Sequence, residues 1–186
     1  MARNVSGAGD RVVIHGTPED WIAWLTDSSE QKRKEARLIL GGLRPSDRLR
    51  LAPLITALKS TDDNVVFWAV CALGRLRSRA RRAVPALIDL VHHRKSGVRQ
   101  AAIHALSRLD PNDMRIKGVI LQALQDTDPF VRREALQSLI SLKNLTNEDI
   151  ALIQAAGNDA DENVARWSEI ALRNINLKNR RNRKRA

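Results

Sequence analysis

Cys71 and His104 come closest in this sequence to a nucleophile with its base. A thiol attacks as the thiolate, and an adjacent imidazole is the usual means of making one at neutral pH. The two residues are 33 positions apart. That interval recurs throughout the chain and sets them about one helix-to-helix spacing apart, beyond hydrogen-bond reach unless the helices tilt. Beside Trp68, Cys71 reads more simply as a small apolar surface residue. The four histidines are scattered, and no Cys/His cluster has zinc-ligand spacing. Gly41-Gly42 and Gly7-x-Gly9 are too short for a phosphate loop, and no G-x-S-x-G elbow occurs. No catalytic residue, metal ligand or cofactor site is therefore expected.

Binding chemistry is better represented. Arg75, Arg77, Arg79, Arg81 and Arg82 fall within eight positions, and Arg44, Arg48 and Arg50 occupy the preceding joint. Guanidiniums at this density suit phosphates or the carboxylates of an acidic partner. The plainer alternative is that cations near helix C-termini complement the helix dipole. The end of the chain, residues 176–186, adds Lys178, Arg180, Arg181, Arg183, Lys184 and Arg185 with one Leu. Its composition predicts a disordered cationic tail that grips an anionic partner or serves as a solubilising end.

Net charge is +11 over 186 residues but is unevenly spread. Residues 1–109 hold 19 Lys/Arg against 10 Asp/Glu, whereas residues 110–175 hold 7 against 11. A long nucleic-acid face would not normally turn acidic half-way along. One cysteine excludes an intrachain disulfide, and no stretch has signal-peptide or membrane-span character. A soluble, cytoplasmic monomer is expected.

The elements that position these residues are set by an ungapped repeat. Segments beginning at Lys32, Val65, Val98, Val131 and Val164 align at intervals of 33. Four columns carry the pattern: Lys32/Val65/Val98/Val131/Val164, then Ala36/Ala69/Ala102/Ala135/Ser168, then Leu40/Leu73/Leu106/Leu139/Leu172, and finally Leu43/Leu76/Leu109/Leu142/Ile175. Their offsets share one helical face, and the small second column lets two helices approach closely. Upstream, Trp21/Leu54/Leu87/Ile120/Ile153 and Leu25/Leu58/Val91/Leu124, with Gly157 fifth, mark a shorter first helix. Each unit is thus an A helix of about ten residues and a B helix of about twelve. Thr17-Pro18-Glu19-Asp20 and Thr146-Asn147-Glu148-Asp149 are capping-box starts. Asp128 and Asp161 are N-cap candidates.

The stretches DTDPFVRREALQSLISL (126–142) and SGVRQAAIHALSRL (96–109) resemble the second half of a HEAT repeat, and VPALIDLV (84–91) is similar to the A helices of bacterial HEAT-like repeats of the phycobilin-lyase type. The resemblance covers residues 18–175. It implies an all-α, right-handed solenoid of five two-helix repeats, with B helices lining the concave side. The expected layout is a flexible lead-in over 1–16, repeats at about 17–43, 44–76, 77–109, 110–142 and 143–175, and the tail. Enzymes that resemble this family bind iron through His-Glu dipeptides or excise DNA bases with a Trp followed one turn later by Asp. This chain has no His-Glu pair, and Ala72 and Ala171 follow Trp68 and Trp167 at that spacing.

Opposite the core columns, three columns should face outward: Lys34/Phe67/Gln100/Arg133/Arg166, Leu38/Cys71/His104/Gln137/Ile170 and Gly41/Gly74/Ser107/Ile140/Arg173. Two flanking columns hold Trp68, Glu134 and Trp167, and Arg75 and Arg108. Phe67, Trp68 and Cys71 should form an apolar patch bordered by Arg75, Gln100, His104 and Arg108, with Arg133 and Trp167 further along. Aromatic anchors beside arginine are what protein interfaces use, and they also suit single-stranded nucleic acid. Alternatively, Trp68 and Trp167 fold over the seam between repeats. The expected function is a non-enzymatic scaffold for a protein partner, with sequence-independent nucleic-acid binding as the alternative.

Overall fold

The computed structural model describes the backbone of residues 3–5, 12–47 and 49–183, and the side chains of 15–47 and 49–179. Among the described residues, ten α-helices run as five A/B pairs: α1 (Pro18–Trp24) with α2 (Glu30–Gly42), α3 (Ala52–Ala57) with α4 (Asp63–Leu76), α5 (Val84–Asp89) with α6 (Ser96–Leu109), α7 (Met114–Gln122) with α8 (Pro129–Ser141), and α9 (Asn147–Ala155) with α10 (Glu162–Arg183). From Pro18 onward the chain is an all-helical solenoid of five two-helix repeats. Single 3-10 turns extend α5, α7 and α9, and a longer 3-10 stretch, Arg77–Ala83, links α4 to α5.

The starts are set by short polar side chains. The Thr17 and Thr146 capping boxes form, and Asp62, Asp113, Asp128 and Asp161 each accept a backbone N–H from the first turn of the helix they precede. Each B helix then packs on its own A helix and on the B helices of the neighbouring repeats. The result is one continuous core, in which Val65, Ala69, Leu73 and Leu76 and their equivalents in the third and fourth repeats are buried. The end repeats depart as a terminal unit should. Lys32 is exposed in the first. In the last, the hydroxyl of buried Ser168 donates to the Ile153 carbonyl, so its polar atom is satisfied where the other repeats have alanine.

Three findings differ from the expectations. Within residues 1–16, β1 (Arg3–Val5) and β2 (Val12–Ile14) pair antiparallel with Asn4 opposite Val13. Secondly, α10 runs on to Arg183, so the backbone of residues 176–183 is helical and not disordered. No Gly or Pro interrupts this stretch, and cations favour a helix C-terminus. Lys178 donates to the carbonyls of Leu142 (2.7 Å) and Ile140 (3.3 Å), and so caps the end of α8. Thirdly, Gly74 and Ser107, expected to face outward, are buried. A Cβ on Gly74 would lie 3.0 Å from both Cα and Cβ of Ala105, so glycine is what lets α4 and α6 approach this closely.

A polar ladder joins the later repeats. Arg99 holds Asp126 with two hydrogen bonds of 2.7 and 2.6 Å, and Arg132 holds Asp159 in the same way. Each guanidinium also reaches a carbonyl of its own turn, His93 or Asp126. Val66 takes the equivalent position in the second repeat, and the Arg33 guanidinium in the first, among the described residues, bonds the carbonyls of Asp27 and Ser28 and no carboxylate. Burial pushes the Asp126 carboxyl up, but Arg99 and the Asp128 N–H outweigh it, and the carboxyl titrates below its ordinary range. Arg132 does the same for Asp159 against burial. Carboxyls whose folded pKa lies below the unfolded value stabilise the fold above the unfolded pKa, and that stability is lost as pH falls through the folded pKa. The melting midpoint is therefore expected to hold between about pH 7 and 5 and to fall below about pH 4. Arg132→Gln should make that acid limb shallower, because Asp159 then titrates nearer its unfolded value. An acid limb of unchanged steepness in differential scanning calorimetry would refute the assignment.

Candidate interaction cleft

The outward faces of α4 and α6 enclose a cleft of about 400 Å³. Phe67, Trp68, Cys71 and Arg75 line it from α4, and Gln100, Ala101, His104, Ala105 and Arg108 from α6, with Gly41 and Glu134 at its two ends. Seven of these are the patch residues that the helical phase predicts together. Phe67 and Trp68 meet edge to face, with ring centroids 5.5 Å apart at 89°. Both rings are half-buried and rest against the core. Trp68 also extends toward Gly41 of the preceding repeat, so it covers the seam and lines the cleft at once.

Glu134 was not predicted as a cleft residue. It is nearly buried at the head of a small network: the carboxylate is 2.9 Å from Nδ1 of His104 and accepts from Gln100 Nε2 and Ser138 Oγ at 3.5 Å. The available signal was its column, since Glu134 shares the offset of Trp68, and that offset faces the preceding repeat.

The cleft holds no activated nucleophile. Burial pushes the Cys71 thiol up to about 11, with Arg75 only partly opposing it, so the thiolate is scarce at neutral pH. His104, the candidate base, is bonded to Glu134. Among the described residues, no three His, Cys, Asp or Glu side chains group as a metal site requires.

Arginines border the cleft toward the C-terminal ends of the helices. Arg75 Nε donates to the Leu43 carbonyl at 3.2 Å. Arg108 buries its Nε without an acceptor among the described residues. Its guanidinium titrates below its ordinary value because of burial, then repulsion from Arg77 and Arg75.

The remaining predicted residues divide. Arg133 and Trp167 do not line the cleft. They sit two and three repeats beyond α4, and Arg133 stacks instead on the exposed Phe130 ring, 5.2 Å from its centroid. In the arginine joint, Arg79 donates to the carbonyls of Pro45 (2.9 Å) and Asp47, which ties the second joint to the first. Arg81 pairs with Asp110 at 3.2 Å. Arg44, Arg50, Arg77 and Arg82 are exposed. Arg48, Lys184, Arg185 and the side chains of Arg180, Arg181 and Arg183 lie outside the described residues.

The comparisons bear on the fold. The model of the family described as HEAT repeats matches residues 18–107 and again 98–173. No curated relative matches the sequence. Among solved structures, the complex of CpcE and CpcF of phycocyanin lyase from Nostoc sp. PCC7120 aligns at 19% identity over 83% of this chain and 96% of that one, with a TM-score of 0.69. A designed armadillo repeat protein in complex with the peptide (KR)4 aligns at 19% identity over 84% and 81%, TM-score 0.61. An engineered protein aligns at 23% identity over 86% and 79%, TM-score 0.58. At these identities the likeness is one of architecture. With the family model matching from Pro18 almost to the end of the last repeat, and five stacked helix pairs beneath it, the chain belongs to the HEAT-repeat family.

Proposed function

We propose that the chain is a non-catalytic scaffold that holds a protein partner in the cleft between α4 and α6. One observation carries the reading: an edge-to-face aromatic pair stands half-open beside arginines, while the cleft's own carboxylate is already engaged by His104 and Gln100. Half-buried aromatics with flanking arginine are the residue types on which interface energy concentrates. The stacked-helix architecture also suits a bound segment, and a designed array of similar fold was solved with a peptide.

The test is capture of a partner by the wild-type chain and by the Phe67→Ala and Trp68→Ala variants. Each variant should melt cooperatively with a loss of about 1–2 kcal/mol, since each ring is only partly buried. Each should also weaken capture at least tenfold. Full capture by both folded variants would place the interface elsewhere.

A second reading has its own support. Arg44, Arg50, Arg77 and Arg82 are exposed on two joints that Arg79 holds side by side. Sequence-independent nucleic-acid binding there would weaken steeply with salt. No affinity for generic duplex DNA or RNA at low salt would end that reading.

A further inference from the structure

Resting on the cleft as the docking site, we infer that its occupant is an extended acidic segment of a protein partner, in which an aliphatic or aromatic side chain seats against Phe67 and Trp68 and a carboxylate about three positions away is received by Arg75, Arg77 and Arg108. The charge pattern comes first. Among the described lining residues the only carboxylate is Glu134, and His104 and Gln100 already engage it. Nothing in the cleft neutralises the arginines at its other end. Arg75 is steadied by the Leu43 carbonyl through Nε, and its terminal nitrogens make no hydrogen bond among the described residues.

Two further observations point to a missing oxygen. The buried Nε of Arg108 has no acceptor among the described residues, a state shared by Arg133 outside the cleft, and the guanidinium of Arg108 makes no hydrogen bond to another described residue, which leaves its terminal nitrogens to meet an incoming carboxylate. Arg77, which begins the joint after α4, sits at φ 52°, ψ −139°, a backbone region where glycine is at ease and arginine is strained. Strain of this kind persists where the surroundings impose it, and it clusters at functional positions. Arg77 is exposed and follows Arg75 by two residues, outside the cleft lining, so it adds positive charge beside the two lining arginines, and its repulsion contributes to the lowered titration of Arg108.

The spacing follows from helix geometry. Phe67 and Trp68 precede Arg75 by seven or eight residues on α4, which is roughly 11 Å along the axis at 1.5 Å per residue. An extended peptide covers that in about three residues. The favoured ligand therefore has an apolar residue and an acidic one three positions apart.

Calorimetric titration with amide-capped peptides tests this. One carries a central phenylalanine with glutamate three positions to either side, a second has glutamine at those places, and a third sets the glutamates adjacent to the phenylalanine. The first is expected to bind saturably, at least tenfold tighter than the other two, and more weakly as salt rises. Arg108→Gln should abolish the difference between the glutamate and glutamine peptides. Arg77→Gly should melt no lower than wild type, since its strain is relieved, yet bind the glutamate peptide several-fold more weakly. This variant keeps the test independent of any folding defect at Arg108. Equal affinity for the glutamate and glutamine peptides, with both lost in Trp68→Ala, would overturn the anion site and leave the docking cleft standing. No binding of the first peptide at millimolar concentration overturns the inference alone, because partner capture tests the cleft separately. Tighter, Arg108-dependent binding of a thymidine dodecamer would assign the arginines to phosphate and also overturn it.

Discussion

Asp149→Ala should lower the stability of the array by about 3 kcal/mol, close to a 10 °C fall in melting midpoint for a chain of this size. Asp149 accepts from Lys117 Nζ at 2.6 Å, and the two side chains are 10 and 9% exposed. Lys117 also reaches the Asn144 carbonyl at 3.3 Å. The same carboxylate accepts the Thr146 N–H at 2.8 Å and completes the capping box of α9. Truncation thus leaves an ammonium without its counter-ion and a helix start without its cap. Asp149→Asn should cost less, because the cap acceptor survives. Replacing both partners with apolar residues, Lys117→Met with Asp149→Leu, should recover much of the loss, since the desolvation of two charges is removed together. The damage should stay local, because each repeat is stabilised by its immediate neighbours. Hydrogen exchange should quicken in α7 through α10 and stay as in wild type in α4. A melting midpoint within a degree of wild type for Asp149→Ala would show that the pair contributes nothing net.

Gly74→Ala and Gly118→Ala should move stability in opposite directions. Both glycines lie within helices, where alanine is favoured by about 1 kcal/mol. At Gly118 a Cβ meets nothing within 4 Å, so that gain should appear almost whole. At Gly74 the Cβ meets the backbone and Cβ of Ala105 at 3.0 Å. A backbone cannot swing aside as a side-chain tip can, and overpacking of this kind costs about 1–3 kcal/mol. Repulsion wins, and Gly74→Ala should be destabilised by about 1 kcal/mol net, with Gly74→Leu losing about 3 kcal/mol or more. The wider separation of α4 and α6 would also reshape the cleft, so peptide affinity should fall along with stability. Urea denaturation of the three variants decides the matter, and a stabilised Gly74→Ala would mean that the two helices separate freely.

The reach and the limit of the sequence have the same origin. A gapless interval of 33 residues makes the five helix pairs legible, because it repeats both the apolar face and the capping residues. Phe67, Cys71, Gln100 and His104 could be gathered in advance because they lie opposite that face, and Trp68 because its large ring stands in the column beside them. Gly74, Ser107 and Glu134 could not. A single helix displays one buried face in its periodicity, but an interior B helix of a stack is covered on three sides. Gly74 faces the following repeat and Glu134 the preceding one, and neither direction leaves a periodic mark of its own. Lys178 escaped for a related reason: it reaches carbonyls 36 to 38 residues back, off the 33-residue register. The helical course of residues 176–183 was missed by reading charge alone where no helix-breaking residue was present.

Doubly bonded arginine–aspartate rungs join the third repeat to the fourth and the fourth to the fifth, whereas the second and third share the exposed, singly bonded Arg94–Asp63 pair and the first and second are tied by Arg75 and Arg79 to backbone carbonyls. The repeats are therefore fastened differently along the length: shielded charge pairs clasp the later joints, while close helix contact at Gly74 and bonds to carbonyls clasp the earlier ones. Protonating the clasping carboxylates should therefore loosen the far end of the stack first, while the walls of the groove, held apart by packing alone, keep their separation.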